Sequence, residues 1–501
     1  MTEKKRKLLI FIVAYNAELH IENVLNRIPK EVLSQYNYEI LIIDDSSKDK
    51  TFEIAHNYHD INKGLNLKIL FNPVNQGYGG NQKLGYEYAI RNGFETVVLL
   101  HGDGQYAPEI LGDIISPIFE KKADAVFGSR MLIKGNALKG GMPYYKYFGN
   151  KILTWLQNKI LKSSLSEFHS GYRAYSVEAL QEIPFKRNSN NFHFDTQIII
   201  QLLLSNKIIR EIPIPTYYGN EICHVDGMKY AWNVLRATIG SRLHNLSVFY
   251  KREFDITTPM QLYPLKLGYL SSHTLAINSV RNNSFVIDIG GGQGLISLEL
   301  KKKGCYVAGI DRCNLQYPAN YDEFYQKDID SVSLDYDFSK FDTILMLDII
   351  EHLANPEEFL DALRSKAGLN QPRIIVTSPN IAFWIIRLQL LFGQFNYGKQ
   401  GILDKTHVRL FTFKTMKKIF EQCGYEVLKV KGIPAPYPKA IGINLISKFL
   451  IEMNRWFITI SKSFFSYQIY MEVKPLPVVE ILLDYSVIES KKRKEALTQT
   501  M

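Results

Sequence analysis

The stretch Val97–Tyr106, VVLLHGDGQY, sets the architecture of the first half of the chain. Val97-Val98-Leu99-Leu100 reads as a buried strand that ends in a polar turn. Gly102 and Gly104 flank one carboxylate, Asp103. A carboxylate at the carboxyl end of a parallel strand stands where α/β sheets bind ligands. Glycines there let a bulky ligand approach the backbone. Such a turn suits a divalent cation that bridges two phosphates, because hard cations want oxygen ligands.

Outward from this stretch the pattern repeats. Leu8–Ala14 reads as a strand before Tyr15-Asn16-Ala17-Glu18, and Glu39–Asp44 as a second before Asp45-Ser46-Ser47. Lys68–Phe71 is a third, followed by NQGYGGNQKLG. Strands alternating with helices predict a parallel sheet with its loops gathered at one edge. At that edge Asp45 can accept from a nucleotide base or ribose. Gly77, Gly79 and Gly80 open a helix whose amino end can face phosphate.

The set VAYNAE, DDSSKDKT, NQGYGGNQKLG and HGDGQY, in this order, resembles a family 2 glycosyltransferase of GT-A fold, dolichol-phosphate mannosyltransferase-like enzymes in particular. Gly128-Ser129-Arg130, Ser170-Gly171-Tyr172-Arg173 and Phe192-His193-Phe194-Asp195 extend the resemblance over roughly residues 5–235. It implies inverting sugar transfer from a nucleotide-activated donor, with Mg2+ or Mn2+ on the diphosphate. By residue it implies that Ala14, Glu18 and Asp45 hold the nucleoside. Asp103 is then the surviving carboxylate of an Asp-x-Asp metal motif, and Arg130 meets an acceptor phosphate. Two positions depart from the family. His101 replaces the first carboxylate of the motif; histidine ligates manganese but lacks the charge, so Gln105 or the donor's phosphates would complete the shell. Gln197 stands where an acid is common, which makes Asp195 the base for a hydroxyl acceptor; a phosphate acceptor needs none. Glu221 and His224 occupy a region where the mannosyltransferases carry basic residues.

A second beginning follows. Ser284–Ile289 reads as a strand before Gly290-Gly291-Gly292-Gln293-Gly294 and the helix Leu295–Lys303. Val307–Ile310 ends in Asp311. A glycine turn that opens a helix, with an acid at the end of the next strand, describes a nucleoside site. With DTILMLDIIEHL at 342–353 and IIVTSPN at 374–380, residues 275–435 resemble a class I S-adenosylmethionine-dependent methyltransferase. The resemblance implies Asp288 and the turn Gly290, Gly292 and Gly294 near the methionine part, Asp311 on the ribose and Asp328 near the adenine amine. A Rossmann dehydrogenase is the rival for the turn alone. His352, just after a strand end, and His407, in a polar loop with Arg409, are the candidate catalytic bases.

The chain's 501 residues exceed one domain. Its net charge of +10 favours anionic partners such as nucleotides or a membrane face, without the concentrated basic run of a nucleic-acid protein. Four scattered cysteines point to a reducing compartment. The expected organisation is α/β with two doubly wound domains: a GT-A domain at 1–250, a linker at 251–275, a Rossmann-like methyltransferase domain at 276–435, and an amphipathic extension and tail at 436–501. The extension, with Lys448, Arg455 and Lys462 among apolar residues, packs on the domain or lies on a membrane face; no stretch is long enough to span a bilayer. The reading is a cytoplasmic bifunctional enzyme, working up to the inner face of the membrane, that extends and methylates a glycan or polyprenyl-phosphate-linked acceptor. A second reading stays open, in which the first half is an inactive glycan- or nucleotide-binding module serving the methyltransferase.

Overall fold

The computed structural model describes residues 5–216, 226–246, 248–256, 265–312, 314–315, 317–330 and 336–499. The chain forms two compact units, Met1–Asn245 with Lys251–Pro259, and Leu246–Tyr250 with Met260–Met501.

In the first unit the strands are β1 (Lys7–Ala14), β2 (Asn37–Asp44), β3 (Leu67–Phe71), β4 (Thr96–His101), β5 (Ala125–Ser129), β6 (Arg173–Ser176) and β7 (Ile209–Pro213). They form one sheet in the order β3-β2-β1-β4-β6-β5-β7. The pairings β1–β2, β2–β3, β1–β4 and β5–β7 are parallel, and β6 runs antiparallel between β4 and β5. The register sets Ala14 beside Asp44, and Val13 beside His101. The turns after β1, β2 and β4 therefore share one edge, and the turn after β5, with Arg130, joins them. Leu8 to Ile12 and Val97 to Leu100 are fully buried, which is why both runs read as continuous apolar strands rather than alternating ones.

The second unit holds β8 (Phe285–Ile289), β9 (Tyr306–Asp311), β10 (Glu323–Gln326), β11 (Thr343–Leu347), β12 (Arg373–Pro379), β13 (Tyr425–Ile433) and β14 (Gln468–Pro475). Their order is β10-β9-β8-β11-β12-β14-β13, with β14 antiparallel to both neighbours. The fold class is as expected: α/β, with a GT-A sheet and a Rossmann-like methyltransferase sheet.

Two expected boundaries fall inside the fold. Residues 251–256 do not behave as linker. Phe254 is 2% exposed and packs with Ile200 and Ala237, while the Glu253 carbonyl accepts from Gln201 Nε2 at 2.6 Å. A boundary at 435 separates β13 from β14, the strand that joins it to the sheet. Within 436–501 the helix Leu445–Ile460 buries Ser447, Ile451, Asn454 and Ile458, and leaves Leu445, Phe449, Trp456 and Ile460 more than half exposed on the opposite face. Among the described residues no helix is long and apolar enough to cross a membrane. Cys305 and Cys423 are free and buried, whereas Cys223 and Cys313, like Glu221 and His224, lie outside the described residues.

Candidate functional sites

In the first unit the loops after β1 and β2 clamp each other. Asn16 N–H donates to Ser47 Oγ at 2.8 Å, Lys48 N–H to Asn16 Oδ1 at 2.9 Å, and Ala17 N–H to Thr51 Oγ1 at 2.7 Å. Ala14, Glu18 and Asp45 come together here, but each already serves the loops. The Ala14 carbonyl accepts from Asp45 N–H at 2.9 Å, and Glu18 Oε2 from Lys50 N–H at 3.0 Å. Asp45 Oδ1 accepts from Asn72 Nδ2 at 2.7 Å and from Gln76 N–H at 2.8 Å. The neighbouring Asp44 is fully buried, its Oδ2 has no partner among the described residues, and burial raises its carboxyl pKa.

The HGDGQY turn lies against this pair of loops. A Cβ on Gly102 would come within 3.3 Å of the Ala14 and Ala17 methyls, so only glycine fits without the neighbours giving way. Asp103 Oδ1 accepts from Gln105 N–H at 3.1 Å. His101 Nε2 lies 3.2 Å from the Tyr78 hydroxyl, which donates to Asp195 Oδ2 at 3.0 Å. A phenol has one proton. With that proton on Asp195, the hydroxyl can only accept from His101 Nε2–H, so Nδ1 keeps its lone pair. Burial holds the imidazole below its ordinary pKa. Asp195 is buried, also accepts from Gln82 Nε2 at 3.1 Å, and faces Arg173 across 3.6 Å.

Two expected roles change. Asn190 caps the helix Tyr78–Arg91: its carbonyl accepts from Gly79 N–H at 2.8 Å, so that amino end does not face a phosphate site. Gly79 is required by packing, since a Cβ would sit 2.5 Å from the Ser189 carbonyl oxygen. Arg130 is not poised for an acceptor phosphate either. Its backbone N–H donates to Glu167 Oε2 at 2.7 Å, and its guanidinium pairs with the same buried carboxylate.

In the second unit Gly290, Gly292 and Gly294 have φ of 72°, 55° and 73°, backbone that favours glycine. A Cβ on Gly291 would meet Asp288 Oδ2 at 2.1 Å. The turn is thus a cradle closed by Asp288 beneath and held by Asp311, whose Oδ2 accepts from Gly292 N–H at 2.8 Å. Burial, and then the Asp311 charge, raise the Asp288 pKa to about 7. Asp328 is exposed, one residue after Lys327, whose N–H donates to the Asp311 carbonyl at 3.0 Å.

Beyond β11, Asp348 accepts from Thr377 Oγ1 at 2.7 Å and from Gln468 Nε2 at 2.8 Å. The Glu351 carbonyl accepts from Val408 N–H at 2.8 Å, which brings the loop carrying His407 over His352; their ring centroids are 4.8 Å apart. Arg409 faces outward to Glu357. Glu351 is 1% exposed, and burial raises its pKa well above the carboxylate range. Tyr78, Arg173, Glu167 and Glu351 carry these sites without a role in the sequence reading. Tyr78 lies 117 residues from the carboxylate it bonds, and nothing local in NQGYGGNQKLG marks it as more than a turn residue.

These two sheets, with carboxylates and glycine turns at their carboxyl edges, are those of a GT-A glycosyltransferase domain and a Rossmann-like methyltransferase domain. Residues 9–184 match the family described as Glycosyl transferase family 2, and residues 272–430 one described as Methyltransferase domain. The UDP-N-acetylglucosamine–dolichyl-phosphate N-acetylglucosaminyltransferase of Methanococcus voltae is 32% identical over 225 residues, 42% of this chain and 86% of its own. The undecaprenyl-phosphate mannosyltransferase of Micrococcus luteus is 24% identical over 254 residues, 47% of this chain and 99% of its own. The polyprenol monophosphomannose synthase of Mycolicibacterium smegmatis is 22% identical over 210 residues, 42% and 77% respectively. The chain belongs to glycosyl transferase family 2, and it carries a methyltransferase domain after the glycosyltransferase domain.

Proposed function

We propose that the first domain transfers a sugar from a nucleotide-sugar donor to a polyprenyl-phosphate acceptor, and that the second methylates the glycan with S-adenosylmethionine. The observation that carries the first half is the His101–Tyr78–Asp195 chain beside Asp103. It sets a carboxylate and a neutral imidazole at the edge where the nucleoside loops meet; the carboxylate fits Mn2+ or Mg2+, and the imidazole nitrogen fits Mn2+. Asp103 and His101 Nδ1 would hold the ion, which when bound neutralises the diphosphate leaving group. An inactive binding module is the weaker reading, because it needs His101 to have abolished the metal site.

Both oxygens of Asp195 already accept hydrogen bonds, so its role is to fix the Tyr78 proton and hence the His101 tautomer. That suits an acceptor phosphate, which is ionised and needs no base. The relatives named for dolichyl and undecaprenyl phosphate support the same acceptor class.

In the second domain the glycine cradle admits the nucleoside, Asp311 accepts from its ribose and Asp288 faces the ammonium end. S-adenosylmethionine supplies the methyl group as a sulfonium. The rival dinucleotide is disfavoured by Asp288, whose carboxylate beneath the turn would repel a pyrophosphate. Incubating the full chain with labelled nucleotide sugars, undecaprenyl or dolichyl phosphate and Mn2+ tests the proposal. Label should enter the organic phase, and methyl label from S-adenosylmethionine should enter the glycan product. Absence of both nucleotide-sugar hydrolysis and labelled lipid across the nucleotide sugars would leave the binding-module reading in its place.

A further inference from the structure

The turn after β11 and the loop 402–409 place three metal-ligating side chains together. Glu351, His352 and His407 each offer a ligand atom, and these atoms lie within 4.8 Å of one another. Three ligands about 2.1 Å from one ion stand roughly 3–4 Å apart, so small side-chain adjustments close the set.

Both imidazoles are oriented as ligands are. His352 Nδ1 lies 3.1 Å from the Thr406 carbonyl oxygen, and His407 Nδ1 2.9 Å from that of Ile402. A carbonyl only accepts, so each Nδ1 carries the proton and each Nε2 keeps its lone pair. A metal-bound histidine almost always makes this outer hydrogen bond. A general base would require one such histidine; here two lie with a ligand atom each within 4.8 Å of the same carboxylate.

That carboxylate is the independent observation. Glu351 is 1% exposed, and neither oxygen has a hydrogen-bond partner among the described residues. The Ser378 hydroxyl lies close enough to lower the Glu351 pKa in part, but among the described residues neither group makes a hydrogen bond of normal geometry. A buried carboxyl without a well-formed donor either keeps its proton or takes a cation, and two imidazoles beside it favour the cation. Asp348 does not belong to the set, being held by Thr377 and Gln468. The cluster adjoins the glycine cradle, since a Cβ on Gly290 would meet the Ile349 side chain at 2.1 Å.

We propose that Glu351, His352 and His407 bind a divalent transition-metal ion that positions the methyl acceptor. Two imidazoles and one carboxylate suit Zn2+, Mn2+, Fe2+ or Co2+ better than the all-oxygen preference of Mg2+. Three protein ligands leave positions open for substrate, and two adjacent hydroxyls of a sugar fit them. A hydroxyl held there is acidified. Its oxygen takes the methyl carbon as the carbon–sulfur bond breaks. The electron pair stays on sulfur, and the hydroxyl proton leaves to water.

This role rests on the methyl-transfer reading, but metal retention is measured without methyl transfer, so the two fail separately. The full chain carrying Asp103→Asn, stripped of metal, is titrated with Mn2+ and Zn2+. We expect one ion per chain, with affinity falling more than tenfold in His352→Ala and in His407→Ala, at least the loss seen when an outer partner is removed. Glu351→Gln, nearly isosteric, should weaken binding similarly and keep the melting profile. Pulsed electron-spin resonance of Mn2+ on the Asp103→Asn chain, which needs no further variant, should show coupling to two imidazole nitrogens. No bound ion, or bound Mn2+ without nitrogen coupling, overturns the site.

Discussion

Tyr78 donates its phenolic proton to Asp195 at 3.0 Å, across 117 residues of sequence. One hydrogen bond thereby fixes which nitrogen of His101 is protonated, because the phenol can then only accept from Nε2–H. In the proposed metal site the carboxylate would act through this tautomer rather than by contact.

Tyr78→Phe removes that constraint and should raise the Mn2+ concentration needed for half-maximal sugar transfer by about 10- to 100-fold, the range for losing an outer-shell partner. Saturating Mn2+ should restore much of kcat. The variant should also lose about 1–3 kcal/mol of stability from the groups left unpaired. An unchanged metal dependence would rule out the tautomer role.

Asp103→Asn should abolish nucleotide-sugar turnover while leaving S-adenosylmethionine binding intact, as read by calorimetry. His101→Asp should keep or raise activity with Mn2+. A folded but inactive His101→Asp chain would assign the imidazole a role a carboxylate cannot fill.

The raised pKa of Asp288, to about 7, predicts how cofactor affinity varies with pH. Below that value the carboxyl is neutral; above it the group is an anion facing a cationic ligand. Affinity for S-adenosylmethionine should therefore rise between pH 6 and pH 8 and then level off, and Asp288→Asn should flatten the profile. Asp311→Ala, which removes acceptors for ribose and for Gly292 N–H, should weaken binding by about tenfold or more at any pH. Tight NAD binding without a response to S-adenosylmethionine would overturn the cofactor assignment.

The exposed stripe Leu445, Phe449, Trp456 and Ile460 lies on a helix that also carries Lys448 and Arg455. We expect the full chain to float with vesicles rich in anionic lipid, and Phe449→Glu with Trp456→Glu to abolish flotation without changing S-adenosylmethionine affinity. A solvent-facing role alone predicts no flotation in either protein.

A fragment ending at residue 435 should fail to fold, whereas one spanning 265–480 should melt cooperatively by calorimetry. The difference is β14, whose backbone bonds both β12 and β13. A stable fragment without it would mean that β13 can pair elsewhere.

Most strands were legible because a buried parallel strand is an unbroken apolar run that stops at a polar turn; β1, β2, β4, β8, β9 and β12 all do so. β6 and β14 were not. β6 begins at Arg173, which is 1% exposed over the Phe127 ring, and a charged residue in a short run reads as surface. β14 alternates Gln468, Tyr470 and Glu472 with Ile469, Met471 and Val473, the pattern of a half-wet edge, yet it is buried on both faces. Its second face is polar because Glu472 pairs with Arg373 at 3.4 Å and accepts from the Tyr470 hydroxyl at 2.8 Å. At the sites, strand-end carboxylates such as Asp103, Asp288 and Asp311 could be read directly. Tyr78, Glu167 and Gln468, which bond Asp195, Arg130 and Asp348, arrive from distant segments, and sequence distance hides them.

The place of β14 inside its sheet gives the chain an order of birth. A ribosome releases the first domain's whole sheet by residue 213 and its packed coda at Phe254 soon after, so that domain can close during synthesis. The second cannot. Until residues 468–475 emerge, β12 presents an unpaired edge and β13 has no neighbour, a template for pairing with other chains. Nascent chains stalled late should therefore carry a finished glycosyltransferase domain and an adhesive, unfinished methyltransferase domain, which makes the last strand a timer for chaperone dependence.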